Sequence, residues 1–171
     1  MTAAVIGLPQ LIVLLVALQR VGELVYARRN ERRLLAAGGR EVGAGHYPLF
    51  ILLHGGWLAA LFVLTPPNAP VSWPLLGLFV VLQMARIWVI VSLGRYWTTR
   101  IVTLAGAPLV RRGPYRYLRH PNYWIVALEV AVLPLAFGQW PIALVFTALN
   151  LPLLWHRSRV EEEALADRRT P

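Results

Sequence analysis

Long apolar runs separated by short polar segments dominate the chain. Five runs cover about residues 4–26, 47–65, 73–93, 122–138 and 139–156. An α-helix rises about 1.5 Å per residue, so roughly 20 apolar residues cross a hydrocarbon core of about 30 Å. The first three runs reach that length. The pattern predicts an all-α integral membrane protein with five transmembrane helices, in one domain over residues 1–171.

The last two runs are shorter and contain the prolines Pro134, Pro141 and Pro152. The segment "FGQWP" between them is typical of a tight turn. We therefore expect these two helices to form a hairpin. An antiparallel pair would bring Arg157 back to the level of Pro121.

The arginines are distributed unevenly along the chain. Fifteen of the 17 lie on alternate connections, namely residues 27–46, residues 94–121 and the tail with Arg157, Arg159, Arg168 and Arg169. Cytoplasmic loops of membrane proteins are rich in basic residues. The pattern predicts a protein of the cell membrane with its N-terminus outside and its C-terminus and active site in the cytoplasm. The net charge of +9 is then explained by contact with membrane lipids rather than with nucleic acid.

The connection 94–121 is long and carries its own motifs. Connections of this length are usually functional or disordered. This one mixes glycines and prolines with aromatic and apolar residues, so it is too hydrophobic to be disordered. We expect it to form a cytoplasmic cap over the hairpin, and residues of about 94–165 to form the catalytic part.

Two polar clusters flank the predicted hairpin. The first is "RHPNY", residues 119–123, which could be a simple helix start with Pro121 and Asn122 near the N-cap. The second is "HRSRVEEEAL", residues 156–165, where Arg157 and Glu161 share one helical face. It could equally be a solvated helix. Together, the clusters favour one interfacial site for a ligand with a polar head and an apolar tail.

Several ionisable residues lie inside the predicted spans. Glu129 and Arg86 are candidates for substrate binding, because intramembrane charges by default suggest function. They could instead pair with each other as structural residues, or Glu129 could be protonated. Arg20 and Glu23 lie near enough to the interface to extend toward water, and we interpret them as structural.

Several other types of site are excluded by the sequence. There is no cysteine, no nucleophile elbow and no glycine-rich phosphate loop. The histidines His46, His54, His120 and His156 are scattered. The sequence predicts no metal site.

The segment from "SLGRYWTTR" through "RRGPYRYLRHPNYWIVALE", with the later "RSRVEEEAL", resembles the isoprenylcysteine carboxyl methyltransferase family. The resemblance covers about residues 85–165. It implies an integral-membrane methyltransferase that uses S-adenosyl-L-methionine and releases S-adenosyl-L-homocysteine. In detail the chain looks most like a bacterial branch that O-methylates alkylpyrone or related polyketide lipids.

The resemblance also implies roles for individual residues. The cofactor-binding positions correspond to Arg100, Ala107, Pro108, Leu109, Val110, Tyr115, His120, Pro121, Asn122, Tyr123 and Glu161. Arg157 corresponds to the arginine associated with the substrate carboxylate. His120 is expected to orient cofactor groups rather than act as a base. Arg100 stands where the family often has glutamine, which weakens its match.

The resemblance implies an acceptor that is lipophilic and carries an acidic oxygen. A prenylcysteine carboxylate and a polyketide enol both fit. The chain stops soon after "EEEAL", where the family usually continues, and this favours a small lipid acceptor. Alternatives are a phospholipid N-methyltransferase, a sterol-reductase-like enzyme that uses NADPH, and a non-catalytic membrane scaffold.

Overall fold

The structure is a computed structural model that describes residues 6–166. These residues form five α-helices: α1 (Leu8–Ala36), α2 (Tyr47–Leu64), α3 (Trp73–Leu93), α4 (Pro121–Ala136) and α5 (Trp140–Ala164). Two short strands, β1 (Arg40–Val42) and β2 (Ile101–Thr103), pair antiparallel. Arg168, Arg169 and the start of the first apolar run lie outside the described residues. The fold is therefore helical, as predicted, with one small ribbon that was not predicted.

Proline marks the start of every helix. It occupies the first or second helical position in all five, as Pro9, Pro48, Pro74, Pro121 and Pro141. The ring holds φ near its helical value, and the missing N–H would have no partner in the first turn. These prolines therefore help to determine where each helix begins.

Three helical stretches in the described part are long and apolar enough to cross a membrane. They are Leu8–Ala36, Ala44–Leu64 and Trp73–Tyr96. Their outer faces carry exposed side chains such as Leu18 (69% exposed) and Val63 (75% exposed). Apolar surface on this scale is suited to lipid rather than to water. This is an integral membrane protein; crossing by the shorter α4 and by α5 stays a prediction.

Helix α1 continues well beyond the apolar run that predicted it. Its last part, "ARRNERRLLA", contains mostly strong helix formers, so the helix does not end where the apolar residues end. The first half of the predicted connection 27–46 therefore belongs to α1. The strand after it, β1, pairs with β2 in the 94–121 connection and places Glu41 opposite Val102.

Helices α4 and α5 run antiparallel and pack against each other. Three residues join them, and the central Gly138 has a φ of 70°, a conformation that favours glycine. The amides of Phe137 and Gln139 donate back to the Pro134 carbonyl. At the far end, the Tyr123 hydroxyl at the start of α4 donates to Glu161 near the end of α5. The two polar clusters of the sequence are thereby brought together.

Four charged side chains form a cluster among α1, α3 and α4, which we call the four-charge cluster: Arg20, Glu23, Arg86 and Glu129. Arg86 contacts Glu23 at 2.7 Å and Glu129 at 3.3 Å. Arg20 contacts the same two carboxylates, each at 2.9 Å. The two positive and two negative charges compensate each other, as buried charges require.

The four-charge cluster tests two predictions made from the sequence, one about Arg86 and Glu129 and one about Arg20 and Glu23. Arg86 and Glu129 pair with each other, as the structural alternative expected. The expectation that Arg20 and Glu23 extend toward the interface is wrong, because both turn inward to these partners. Pairing in a low-dielectric interior is more favourable here than reaching for water, since each carboxylate meets two guanidinium groups.

Removing one charge from this cluster should destabilise the protein strongly. Glu129→Gln leaves Arg20 and Arg86 to share one carboxylate, and breaking a buried pair costs about 3–5 kcal/mol. The matched change Glu163→Gln, at an exposed position of α5, should stay within about 0.5 kcal/mol. Unfolding of both variants in detergent measures the difference. Equal stability of the two would contradict the compensating role of the cluster.

Candidate active site

A cavity of about 430 Å³ lies between the 94–121 connection and the meeting ends of α4 and α5. Ten of the residues that the sequence singled out line it: Arg100, Pro108, Leu109, Val110, Tyr115, His120, Asn122, Tyr123, Arg157 and Glu161. Ala107 and Pro121 are buried beside the cavity wall without lining it. Arg86 and Glu129 belong to the four-charge cluster and do not line the cavity, so their role toward a substrate stays a prediction.

The glycine before Tyr115 has a steric reason. Gly113 has a φ of 57°, and a Cβ at this position would lie 2.1 Å from the Ser92 Oγ. Only glycine allows the connection to turn this closely over the end of α3. Tyr115 follows in the short helical turn Gly113–Arg116 and lines the cavity. Burial, and to a lesser degree the Glu161 charge, raise the pKa of Tyr115, so the phenol stays neutral.

Arg157 is held in place by contacts from three parts of the chain. Its Nε donates to the Tyr123 hydroxyl at 3.0 Å, and its Nη2 donates to the Thr99 carbonyl at 2.8 Å. The guanidinium carbon lies 5.2 Å from the ring centre of Phe50. Among residues 6–166, Nη1 makes no hydrogen bond. The guanidinium is thus fixed in orientation while one amine remains available for an anionic oxygen.

His120 lies between two carboxylates. Its Nδ1 is 3.5 Å from Glu161 Oε2, and its Nε2 is 3.2 Å from Glu162 Oε1. Its ring also stacks on Tyr123, with centroids 5.2 Å apart. The bond to Glu161 is the main cause that raises the pKa of His120, against the opposing effect of burial. A histidine that retains its proton is poorly suited to act as a general base.

Glu161 is the acceptor on which this cluster converges. Burial alone would raise the pKa of its carboxyl, but the bonds from His120 and Tyr123 and the charges of His120 and Arg157 lower the pKa overall. Glu161 is therefore ionised at neutral pH. Its carboxylate presents a negative charge to the cavity, where a cation or hydroxyl group of a ligand could bind.

Arg100 is largely occupied by the protein itself. Its guanidinium contacts Glu41 at 2.9 Å and Glu31 at 3.4 Å, and it lies over the ring of Tyr47. The side chain still borders the cavity. Its contact with a cofactor stays a prediction, and its visible role is to join β1 and α1 to the connection.

The cavity suits the cofactor that the resemblance implies. Its volume lies within the range of about 300–1,000 Å³ common for ligand sites. Two buried polar atoms in its lining residues, Asn122 Oδ1 and Trp97 Nε1, have no hydrogen-bond partner in the described structure. Buried polar atoms normally have partners. The wall thus holds one acceptor and one donor without a protein partner, and the Glu161 carboxylate beside them suits the ammonium group or a ribose hydroxyl of S-adenosylmethionine.

Three contributors escaped the sequence analysis. Thr99 acts through its backbone carbonyl, which no side-chain pattern reveals. Phe50 reads as one more apolar residue of α2, although the arginine distribution could have placed it at the level of Arg157. Trp97 belongs to the segment "SLGRYWTTR", but no role was assigned to it there. It lines the cavity, and its ring centre lies 5.9 Å from the Arg86 guanidinium carbon.

A second opening lies between α2 and α5. This groove, of about 940 Å³, is lined mainly by apolar side chains, including Leu49, Leu149 and Leu153. His46 and His156 lie at its polar end with ring centroids 5.5 Å apart. The Phe50 ring lies 6.1 Å from the His46 ring and 5.2 Å from the Arg157 guanidinium carbon, so this end of the groove lies near the cavity. We call this opening the α2–α5 groove.

Comparisons with known proteins indicate the family of the chain. The family described as "Isoprenylcysteine carboxyl methyltransferase (ICMT) family" matches residues 75–167. An "Uncharacterized protein YpbQ" of Bacillus subtilis is 36% identical over 162 residues, which cover 92% of this chain and 96% of the relative. An "Uncharacterized protein" of Haemophilus influenzae is 28% identical over 143 residues, which cover 81% of this chain and 83% of the relative. No solved structure matches.

The His120 contacts predict a pH-dependent stability. Because the folded pKa is raised above the ordinary value of 6.5, the stabilisation is complete below that value and is lost as pH rises through the folded pKa. Replacing His120 by glutamine should therefore destabilise the protein clearly at about pH 6 and little at about pH 9. Unfolding measured across this range tests the trend. A pH-independent effect of His120→Gln would contradict the assignment.

Proposed function

The chain belongs to the isoprenylcysteine carboxyl methyltransferase family of membrane methyltransferases, and we propose that it methylates an acidic oxygen of a lipophilic acceptor, with S-adenosylmethionine as donor. One observation carries the proposal. Arg157 and Glu161, one helical turn apart, face the same cavity and are linked through the Tyr123 hydroxyl. A fixed cation and a fixed anion side by side suit an anionic acceptor next to a cationic donor.

Arg157 would hold the acceptor. Its Nη1 faces no protein partner in the described residues, while Tyr123 and Thr99 hold the rest of the guanidinium. A charge-assisted bond from this amine to a carboxylate or enolate oxygen would fix the attacking atom. Because such an oxygen is already ionised, no strong base is required. This agrees with a His120 that orients Glu161 rather than removes a proton.

Glu161 and the cavity wall would hold the donor. Glu161 would bind its ammonium group or ribose, and Leu109, Val110 and Tyr115 would enclose its adenine. When bound, the cofactor would supply an activated methyl group on its sulfonium, which would pass to the acceptor oxygen with S-adenosylhomocysteine as the leaving group. The contribution of the protein is alignment and exclusion of water.

The α2–α5 groove supports a lipophilic acceptor. Its leucine-rich wall belongs to α2, a helix long and apolar enough to cross a membrane, and to α5. Its polar end adjoins Arg157. An acceptor with one hydrocarbon tail could lie in the groove with its acidic head at Arg157. A prenylcysteine carboxylate and an alkylpyrone enol both meet this description.

We further propose that α4 and α5 also cross the membrane, with the cavity on the cytoplasmic side. The arginine-rich connections support this orientation. Arg100, Arg111 and Arg119 border the cavity, so the cavity lies at the arginine-rich level of the protein. The cofactor would then arrive from the cytoplasm and the acceptor from the bilayer.

Two substitutions on α5 test the assigned roles. Arg157→Gln should lower kcat/KM for the acceptor by about 100-fold, because a charge-assisted contact is lost, while S-adenosylhomocysteine still binds. Glu161→Gln should weaken S-adenosylhomocysteine binding by about tenfold or more. Transfer of labelled methyl to extracted lipids and calorimetry of cofactor binding give the two quantities.

The same helix offers matched controls. Arg159→Gln and Glu163→Gln remove the same charges at exposed positions and should retain wild-type turnover. Wild-type turnover in Arg157→Gln and Glu161→Gln would refute the roles. Binding of NADPH instead of S-adenosylhomocysteine would favour a reductase, and methyl transfer to an amine head group would favour an N-methyltransferase.

Filling the α2–α5 groove should affect only acceptors with long tails. Leu149→Trp places a larger ring in the groove and should raise KM for such acceptors several-fold, by about 1 kcal/mol or more of lost binding. Binding of S-adenosylhomocysteine should not change. Leu144→Trp, at an exposed position of α5 outside the groove lining, is the control. An equal effect of both variants, or none, would rule out the groove as the tail site.

A further inference from the structure

We infer that Asn30, on the polar end of α1, is a positioning residue for the cofactor cavity, an inference that rests on the proposed function. Asn30 lies outside the residues 75–167 that match the family. Its side chain does not line the cavity. Its effect would pass through the backbone of the connection that begins at Gly94.

The Asn30 carboxamide bridges two carbonyl groups. Its Nδ2 donates to the Gly94 carbonyl at 3.1 Å and to the Trp97 carbonyl at 2.9 Å. The first carbonyl belongs to the residue that begins the short helical turn Gly94–Tyr96, and the second belongs to the residue that directly follows this turn. Asn30 is only 1% exposed, and asparagine is a poor helix former. Its side-chain contacts therefore explain its place in α1 better than its helix propensity does.

The segment that Asn30 holds leads directly into the cavity wall. Trp97 and Thr98 line the cavity, and Trp97 Nε1 is one of the buried atoms without a partner among residues 6–166. The next residue, Thr99, accepts the hydrogen bond from Arg157. A shift of the backbone at residues 94–97 would therefore displace the wall that faces the cofactor.

The other end of this wall is held independently. Glu31 and Glu41 contact Arg100, and β1 pairs with β2. Because these contacts do not involve Asn30, its replacement should loosen the near end of the wall and leave the fold in place. Such a change would weaken cofactor binding more than it slows the chemical step.

The test compares two buried asparagines in the full-length protein in detergent. Asn30→Ala removes both donors, and Asn30→Asp keeps the size while setting oxygen atoms against the two carbonyls. Both should raise Kd for S-adenosylhomocysteine and KM for S-adenosylmethionine by about tenfold, with kcat within about twofold of wild type. Asn150→Ala removes a buried asparagine of α5 that does not line the cavity and should leave Kd and KM unchanged.

Each outcome decides the inference. Wild-type Kd and KM in either Asn30 variant would overturn it, and so would an effect confined to kcat. If Asn30→Ala and Asn30→Asp both fail to fold while Asn150→Ala folds, Asn30 is a folding residue and the positioning role is refuted. Failure of the wild-type protein to bind S-adenosylhomocysteine would instead contradict the proposed function, and the inference with it.

Discussion

The Tyr123 hydroxyl is the contact on which the rest of the site depends. It accepts a hydrogen bond from Arg157 and donates one to Glu161, so one atom of α4 joins the two charged residues of α5 that line the cavity. This fixes the register of the two helices at the end where the cavity lies. It also fixes the separation of a cationic and an anionic group. For a reaction that depends mainly on aligning two oppositely charged partners, such preorganisation is the main contribution a protein can make.

Two arginines are buried among residues 6–166, Arg86 and Arg157, and they differ in whether a carboxylate compensates their charge. Arg86 meets the carboxylates of both Glu23 and Glu129, which compensate its charge. Arg157 is held by a phenol, a backbone carbonyl and an aromatic ring, none of which neutralises it. The charges of the four-charge cluster are therefore compensated among themselves, while Arg157 and Glu161 present theirs to the cavity.

Much of the helical layout could be predicted from the sequence, because long apolar runs and prolines mark helices directly. The predicted runs 47–65 and 73–93 agree closely with α2 and α3. Hydropathy does not mark where a helix ends, so the polar end of α1 was missed, whereas the spacing of Arg157 and Glu161 had already indicated a helix beyond the last apolar run. Hydropathy also indicates how deep a residue lies in the membrane but not which way its side chain points, so Arg20 and Glu23 were assigned to the interface. Contacts through the backbone, such as those of Thr99 and Asn30, leave no signal in a single sequence.

Amide hydrogen exchange of the wild-type protein, with and without S-adenosylhomocysteine, tests the central claim most directly. A single cavity built from the connection and the meeting ends of α4 and α5 predicts protection in three separated stretches at once: residues 97–111, 115–123 and 157–165. The outer part of α2 and the middle of α3 should exchange as before. Protection absent from residues 157–165, or confined to one stretch, would contradict a shared site.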